Sequence, residues 1–460
     1  MSELHELSIA EAGVLIQAHR LSPVDLVRAL LARLDRYDGQ YRTHITVAAD
    51  RALKEAGTAE KEIASGGSKG PLHGIPVSFK DNIWTSGVRT TAHSKTMRDF
   101  VPDVDATHVA RLRAAGMILI GKTNTTEFAT GDMLEFGDVP HPYDPAMFAG
   151  SSSGGSASAI AAGLAIATTG TDTAGSIRFP ASCCGIVGVK PTYGRVSRFG
   201  VVPLSWTLDS VGPMTRTVRD AAMMLGPMSG RDPRDPHTAD VPVPDFTAGL
   251  TERLDGVVLG IPEQHYYENL EPAVDASLRI ALADLQALGA TLRPVSIPLV
   301  GRLAGIGSII VECEAFALHA ERLRRLGRDY GPKARRQIGS GAFYSGAEYL
   351  EALQVRELFN RELAAAFAGL DALVMPTLPH TAYTREVQRS GPPDTSWGTR
   401  QFNLSGYPAM TIPCGFDPSG YPIGMQIAAR PFDESTMFRV GHAYEGATEW
   451  HERRPTLQEG

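Results

Sequence analysis

The sequence predicts an α/β protein, a sheet covered by helices on both faces. Three features of the 460-residue chain point to it. From Gly74 onward short apolar runs alternate with helix-like stretches, and continuous apolar runs suit strands buried on both sides. The stretches between them are rich in small residues, which lets helices lie close on a sheet. No break in composition and no fixed-period repeat divides the chain. The expected organisation is therefore a helical N-terminal arm over residues 1–65 and one compact domain over 66–460.

In the arm, "SIAE" (Ser8–Glu11) and "SPVD" (Ser22–Asp25) read as helix starts, with a capping serine, an acid three residues on and, in the second, proline in the first turn. "VDLVRALLARLDRY" continues with apolar residues at helical spacing. The Gly-rich "EIASGGSKGPLHG" is a connector. Expected strands follow at 75–79, 117–121, 164–170, 185–189, 257–262, 372–376, 410–416 and 423–428. Between them "THVARLRAAG", "SASAIAAG" and "PAVDASLRIALADLQALG" read as helices. The Pro- and Asp-rich segment 231–245 reads as a surface loop.

Lys plus Arg number 44 and Asp plus Glu 51, a net charge of −7 with the signs mixed along the chain. No basic face for nucleic acid is implied, nor a polybasic membrane-seeking segment. No apolar run approaches the roughly 18 to 20 residues that span a bilayer. The N-terminal "MSELHELSIAEAG" lacks a signal-peptide layout. Four cysteines, Cys183, Cys184, Cys313 and Cys414, form no CxxC pair and read as buried thiols. The expectation is a cytoplasmic protein acting on a small molecule, without nucleic acid, membrane, metal or cofactor, and free to form homo-oligomers.

Two short motifs fail on context. "GMILIGKT" (116–123) fits the phosphate-loop pattern, but its first glycine follows a helix and "MILI" is itself a strand, where a donor-rich loop is needed. "GSSSG" (150–154) fits a nucleophile elbow with Ser152 as attacking residue, but the Pro-containing "HPYDPAMFAG" before it is a poor strand. The longer "AGSSSGGSASAIAAGLA" is a Ser/Gly loop set inside the fold, where Gly154 and Gly155 permit close backbone approach.

"TDTAGSIRFP" (171–180) is more informative. Small residues precede Ser176 and leave backbone N–H groups uncovered, the geometry of an oxyanion hole. The bland alternative is a helix-capping serine. Asp172 and Arg178 could pair beneath the loop, or form a surface ion pair of little worth. A serine nucleophile needs a base. No histidine stands in evident relation to Ser176; His141 and His237 are the nearest in sequence. A buried, neutral lysine would serve. Lys80 and Lys122 both end apolar strands, and spacing does not choose between them.

The ordered segments "GIPVSFKDNI", "GKTNTTEFA", "GSSSGGSASAIAAG", "GTDTAGSIRFPA" and "GIVGVKPTYGRVSRFG" resemble the amidase signature family, as do the later "DSVGPMTRTVRDAA", "FNLSGYPAMTIPCGF", "PIGMQI" and "RPFDE". The resemblance runs from about Gly74 to the C-terminus. It implies a large mixed, mostly parallel twisted sheet flanked by helices on both faces. It also implies a Ser–cis-Ser–Lys triad: Lys80 as base, Ser152 as the cis serine and relay, Ser176 as nucleophile. Lys122 is then not the base. The N–H groups of Thr173, Ala174, Gly175 and Ser176 form the implied oxyanion hole, supported by Ser153, Asp172 and Arg178. The family usually has glycine at the position of Ala174, whose Cβ resists positive φ, and often glycine at Ser151.

The implied activity is hydrolysis of an amide C–N bond through an acyl-enzyme, a scheme that also admits anilides, carbamates and esters. An alternative is the glutamine-hydrolysing subunit of an amidotransferase, which needs a clamp for a free amino acid and a partner surface. A third is a binding protein without catalysis, which a complete triad argues against. An alkaline-leaning rate profile is expected for a lysine base. Substrate choice is expected in the loop 128–148, through Phe128, Ala129, Thr130, Met133, Phe136, Tyr143 and Phe148, and in the region 344–382; the equal alternative is that the apolar side chains of the loop simply pack it down.

Overall fold

The computed structural model describes residues 3–458 apart from 392 and 395. Eleven strands form one sheet: β1 His44–Val47, β2 Pro76–Lys80, β3 Ile118–Thr123, β4 Ala167–Asp172, β5 Val187–Lys190, β6 Ser210–Thr215, β7 Val258–Pro262, β8 Thr291–Val295, β9 Ala372–Pro376, β10 Ala409–Phe416 and β11 Pro422–Ala429. Their order across the sheet is β1-β3-β2-β4-β6-β5-β10-β11-β9-β7-β8. The mixed sheet with flanking helices is as expected. The parallel majority is not: β2–β3, β2–β4, β7–β8 and β7–β9 are parallel, and the other six pairings antiparallel. Helices between strands do not compel parallel neighbours, because successive strands here are often not adjacent in the sheet.

Successive side chains of a strand point to opposite faces, and both faces are covered. On β3, Ile118 and Ile120 enter one hydrophobic core while Leu119 enters another. On β9, Ala372 and Val374 face one core, Leu373 and Met375 a third. All eight expected strands are present within a few residues of their expected bounds. Three others were not anticipated. β1 draws the N-terminal arm into the sheet beside β3, so that arm is not purely helical. β6 pairs with β4 along its whole length despite Gly212 and Pro213. β8 is a largely exposed edge strand containing Arg293 and Pro294.

The expected helix starts are realised. The Ser8 hydroxyl accepts from the Glu11 amide in a reciprocal capping box, and Ser22 accepts from Val24 and Asp25 ahead of the helix Pro23–Tyr41. No helix among the described residues is long and apolar enough to cross a membrane. Cys183, Cys184 and Cys414 are buried thiols, whereas Cys313 is only partly buried.

Candidate active site

The parallel neighbours β2 and β4 end side by side, and the site is built where they end, the usual place for function in such sheets. Lys80 is the last residue of β2. Thr171 and Asp172 end β4, and the chain then turns through 173–177 into the helix Arg178–Cys184. Ser152 and Ser153 precede the helix Gly154–Ala161, whose small residues let it sit against the strands. A Cβ on Gly155 would overlap the Asn124 backbone, so only glycine fits there.

The Lys80 side chain is fully buried. Its Nζ lies 2.7 Å from Ser152 Oγ, 3.0 Å from Ser153 Oγ and 2.7 Å from Thr171 Oγ1. Burial draws its pKa from 10.5 down to about 7, against the opposing charges of Asp172 and Asp209. A large share of such an amine is uncharged at neutral pH. Ser153 is itself fixed, donating to the Thr171 carbonyl at 3.2 Å, and Asn82 donates to Thr171 Oγ1 at 3.1 Å. Thr171 and Asn82 carried no distinguishing signal in the sequence.

Lys122 is also buried, with a pKa pulled down to about 8 by burial. It donates instead to the Ile83 carbonyl and to Thr90 Oγ1 and lies 3.7 Å from Asp81. His141 is locked 2.8 Å from the Cys183 carbonyl, and among the described residues no histidine lines the cavity at Ser176.

Asp172 and Arg178 form no surface pair; both are fully buried. Asp172 accepts from Arg178 Nε and Nη2, from Asn403 Nδ2 at 2.8 Å, and from the amides of Gly175 at 2.8 Å and Ile177 at 3.1 Å. Burial alone would raise its pKa; the Arg178 charge and these hydrogen bonds outweigh that and hold it at about 2. Arg178 reaches on to the Thr399 carbonyl, Gln426 and Asn403. Thr399 Oγ1 donates to the Ala174 carbonyl at 2.7 Å. The loop 173–177 is therefore clamped from β11 and from the helix Arg400–Leu404.

This clamp revises the expected oxyanion hole. The Gly175 N–H is consumed by Asp172 and is not available. The amides of Thr173, Ala174 and Ser176 donate to nothing among the described residues. Gly175 has φ of +124°, and a Cβ on it would overlap the Thr399 side chain, so glycine is required here. Ala174 is not in the left-handed region, so alanine sits there without backbone strain. All described peptide bonds are trans, including that before Ser152, so the expected cis serine is absent; trans is the favoured form at any non-proline residue.

Ser152 and Ser176 line one cavity of about 210 Å³, and no hydrogen bond joins their hydroxyls. Ala129, Thr130 and Phe148 line the cavity as expected. The rest of the expected pocket does not. Phe128 is buried against His319 and Tyr330, Met133 is in a core, and Phe136 packs on His93. Tyr143 faces a separate surface cleft with Phe416 and Arg453. Apolar content alone did not say which core each ring would join. The region 344–382 contributes no lining residue either. Leu204, Val311, Lys333, Gln337, Gln388 and Ser396 supply the walls that the sequence did not reveal. Val311 and Gln337 also wall an adjoining chamber of about 140 Å³. Among the described residues no His, Cys, Asp and Glu cluster is placed to hold a metal ion.

The family model described as Amidase matches residues 25–438. Among curated proteins, the chain is 41% identical to a glutamyl-tRNA(Gln) amidotransferase subunit from Roseiflexus sp. (strain RS-1), with 99% of each chain covered. Among solved structures it is similar to the native peptide amidase from Stenotrophomonas maltophilia, with TM-score 0.88, 32% identity and 98% of each chain covered. It is likewise similar to the corresponding glutamyl-tRNA(Gln) amidotransferase subunit from Thermotoga maritima, with TM-score 0.85 and 32% identity, covering 100% of this chain and 99% of that one.

Proposed function

The chain belongs to the amidase signature family, and from that premise we propose that it hydrolyses a carbon–nitrogen amide bond through an acyl-enzyme on Ser176. The observation that carries the reading is the buried Lys80 amine, 2.7 Å from Ser152 Oγ with its pKa drawn down to about 7. Uncharged Lys80 accepts the Ser152 proton, and Ser152 accepts that of Ser176. The Ser176 oxygen attacks the carbonyl carbon. The amides of Thr173, Ala174 and Ser176 receive the developing oxyanion, each such donor being worth roughly 3 kcal/mol. Collapse breaks the C–N bond, and the relay returns a proton to the leaving nitrogen. Water, deprotonated through the same relay, then attacks the acyl ester. The acid departs and Ser176 regains its proton.

The test is mass spectrometry after treatment with a fluorophosphonate probe, together with turnover of primary amides, anilides and carbamates. Ser176 should be the modified residue, and Ser176→Ala should lose both labelling and turnover. Modification elsewhere with Ser176 untouched would overturn the assignment.

A second reading is favoured by the curated relatives, which support it better than a stand-alone amidase: the glutamine-hydrolysing subunit of an amidotransferase. It uses the same acyl-enzyme and differs in substrate and partner. Glutaminase activity that appears only with partner subunits would establish it.

A further inference from the structure

The polar groups around Ser176 are unevenly satisfied. Among the described residues, the cavity that contains Ser176 is lined by one formal charge, Lys333, and by no aspartate or glutamate. Lys333 sits half-buried in the first turn of the helix Pro332–Ser340, and its Nζ has no hydrogen-bond or ion-pair partner among the described residues. One turn on, Gln337 has its Oε1 occupied by the Thr130 hydroxyl at 2.9 Å, which leaves its Nε2 without an acceptor. Gln388, from a different helix, has its Oε1 occupied by the Tyr383 hydroxyl at 2.7 Å, and its Nε2 is likewise unspent. Three donors thus line the nucleophile's cavity with no acceptor of their own.

Other charges nearby have partners of their own: the Asp132 carboxylate accepts from the Lys333 backbone amide at 3.4 Å. Arg400, in the adjoining chamber, pairs with Asp394 and donates to the Ala304 carbonyl at 2.9 Å. Glu312, in that same chamber, accepts from Ser340 Oγ at 2.6 Å. A cation and two amide donors beside a nucleophile suit an anionic acceptor. A zwitterionic amino acid would also need an acid for its ammonium; the described walls around Ser176 hold none, and the acid of the adjoining chamber, Glu312, does not line this cavity.

Resting on the hydrolase reading above, we infer that the substrate is an amide bearing a carboxylate but no ammonium, with the carboxylate held by Lys333, Gln337 and Gln388. The carboxylate belongs either to the acyl part, as in a half-amide of a dicarboxylic acid, or to the amine part, as in an N-acyl amino acid.

The experiment is competition against fluorophosphonate labelling of Ser176 in the full chain. The competitors are half-amides from malonamate to adipamate, N-acetylglycine, neutral butyramide and glutamine. One of the two carboxylate-bearing arms should slow labelling at concentrations where butyramide and glutamine do not, and the arm that does so identifies which side carries the charge. Lys333→Met should weaken that protection about 10- to 100-fold, the range for a charge-assisted hydrogen bond. Lys333→Arg should retain most of it. Equal protection by butyramide, stronger protection by glutamine, no protection by either anionic arm, or protection untouched in Lys333→Met would each overturn the inference while leaving the hydrolase intact. Failure of Ser176 to label at all would instead remove the hydrolase reading, and the inference with it.

Discussion

The pKa of Lys80 makes a quantitative demand on the rate. Only the uncharged amine accepts a proton, so kcat/KM should rise with pH through the lysine's titration and level off above it. Burial places that midpoint at about 7, where an unperturbed lysine would put it at 10.5. Two units below the midpoint, near pH 5, about one enzyme in a hundred holds the free base, so the rate should stand about a hundredfold below its plateau. The same shift governs stability. Below about 7 both folded and unfolded states hold the proton, and the fold carries the full cost of a buried ammonium. Between about 7 and 10.5 the unfolded chain binds more protons than the native one, so this lysine's contribution makes stability rise with pH. A shift from 10.5 to about 7 corresponds to about 5 kcal/mol, an upper bound on what Lys80→Met recovers. The three hydroxyls left without their cation offset part of it. The assay is a kcat/KM profile from pH 5 to 10 on a neutral amide, alongside urea unfolding of wild type and Lys80→Met at pH 6 and pH 9. Lys80→Met should lose turnover about 10²- to 10⁴-fold and gain more stability at pH 6 than at pH 9. A rate flat from pH 5 to 9, or a midpoint above 9, would refute a buried lysine as base.

Three further outcomes are expected. Gly175→Ala forces a Cβ onto Thr399 at a φ that alanine avoids, so both the melting temperature and Ser176 labelling should fall; thermal scans and labelling rates check this. Arg178→Leu leaves the Asp172 carboxylate buried and unpaired, at a cost of about 3–5 kcal/mol in urea unfolding. In the wild type Asp172 contributes stability fully above its unfolded pKa of about 3.8 and loses it as pH falls through about 2. Glu445, buried and accepting among the described residues only from the Val218 amide, has its pKa raised by burial to about 8. Its contribution is full below the unfolded value of 4.5 and is lost as pH rises through about 8, so Glu445→Gln should gain on wild type at pH 9 relative to pH 6 in the same unfolding series.

Strands such as Ala372–Pro376 were legible because they are apolar throughout and buried on both faces. β6, "SVGPMT", was not: glycine and proline argue against a strand locally, and only its pairing with β4 overrides that. β8 sits at an edge, where Arg293 and Pro294 cost little and the apolar signal is weak. In the site, Lys80, Ser152 and Ser176 lie in dense local motifs close in sequence. The walls opposite them come from the helices Ala304–Leu326 and Pro332–Ser340, more than a hundred residues downstream, where Val311 and Gln337 look like any helical residues. The fate of the Gly175 amide was equally hidden, because it depends on where Asp172 turns its carboxylate.

The clamp on the nucleophile loop has a consequence for biosynthesis. A nascent chain that has emerged only through Lys190 already carries Lys80, Ser152 and Ser176. It still lacks Thr399, Asn403 and Gln426, which close around Asp172, Arg178 and Ala174. Its loop is thus unbraced while on the ribosome. The bracing comes from the helix Arg400–Leu404 and from β11, both made late, so a truncated translation product keeps Lys80, Ser152 and Ser176 without the contacts that fix the loop around them.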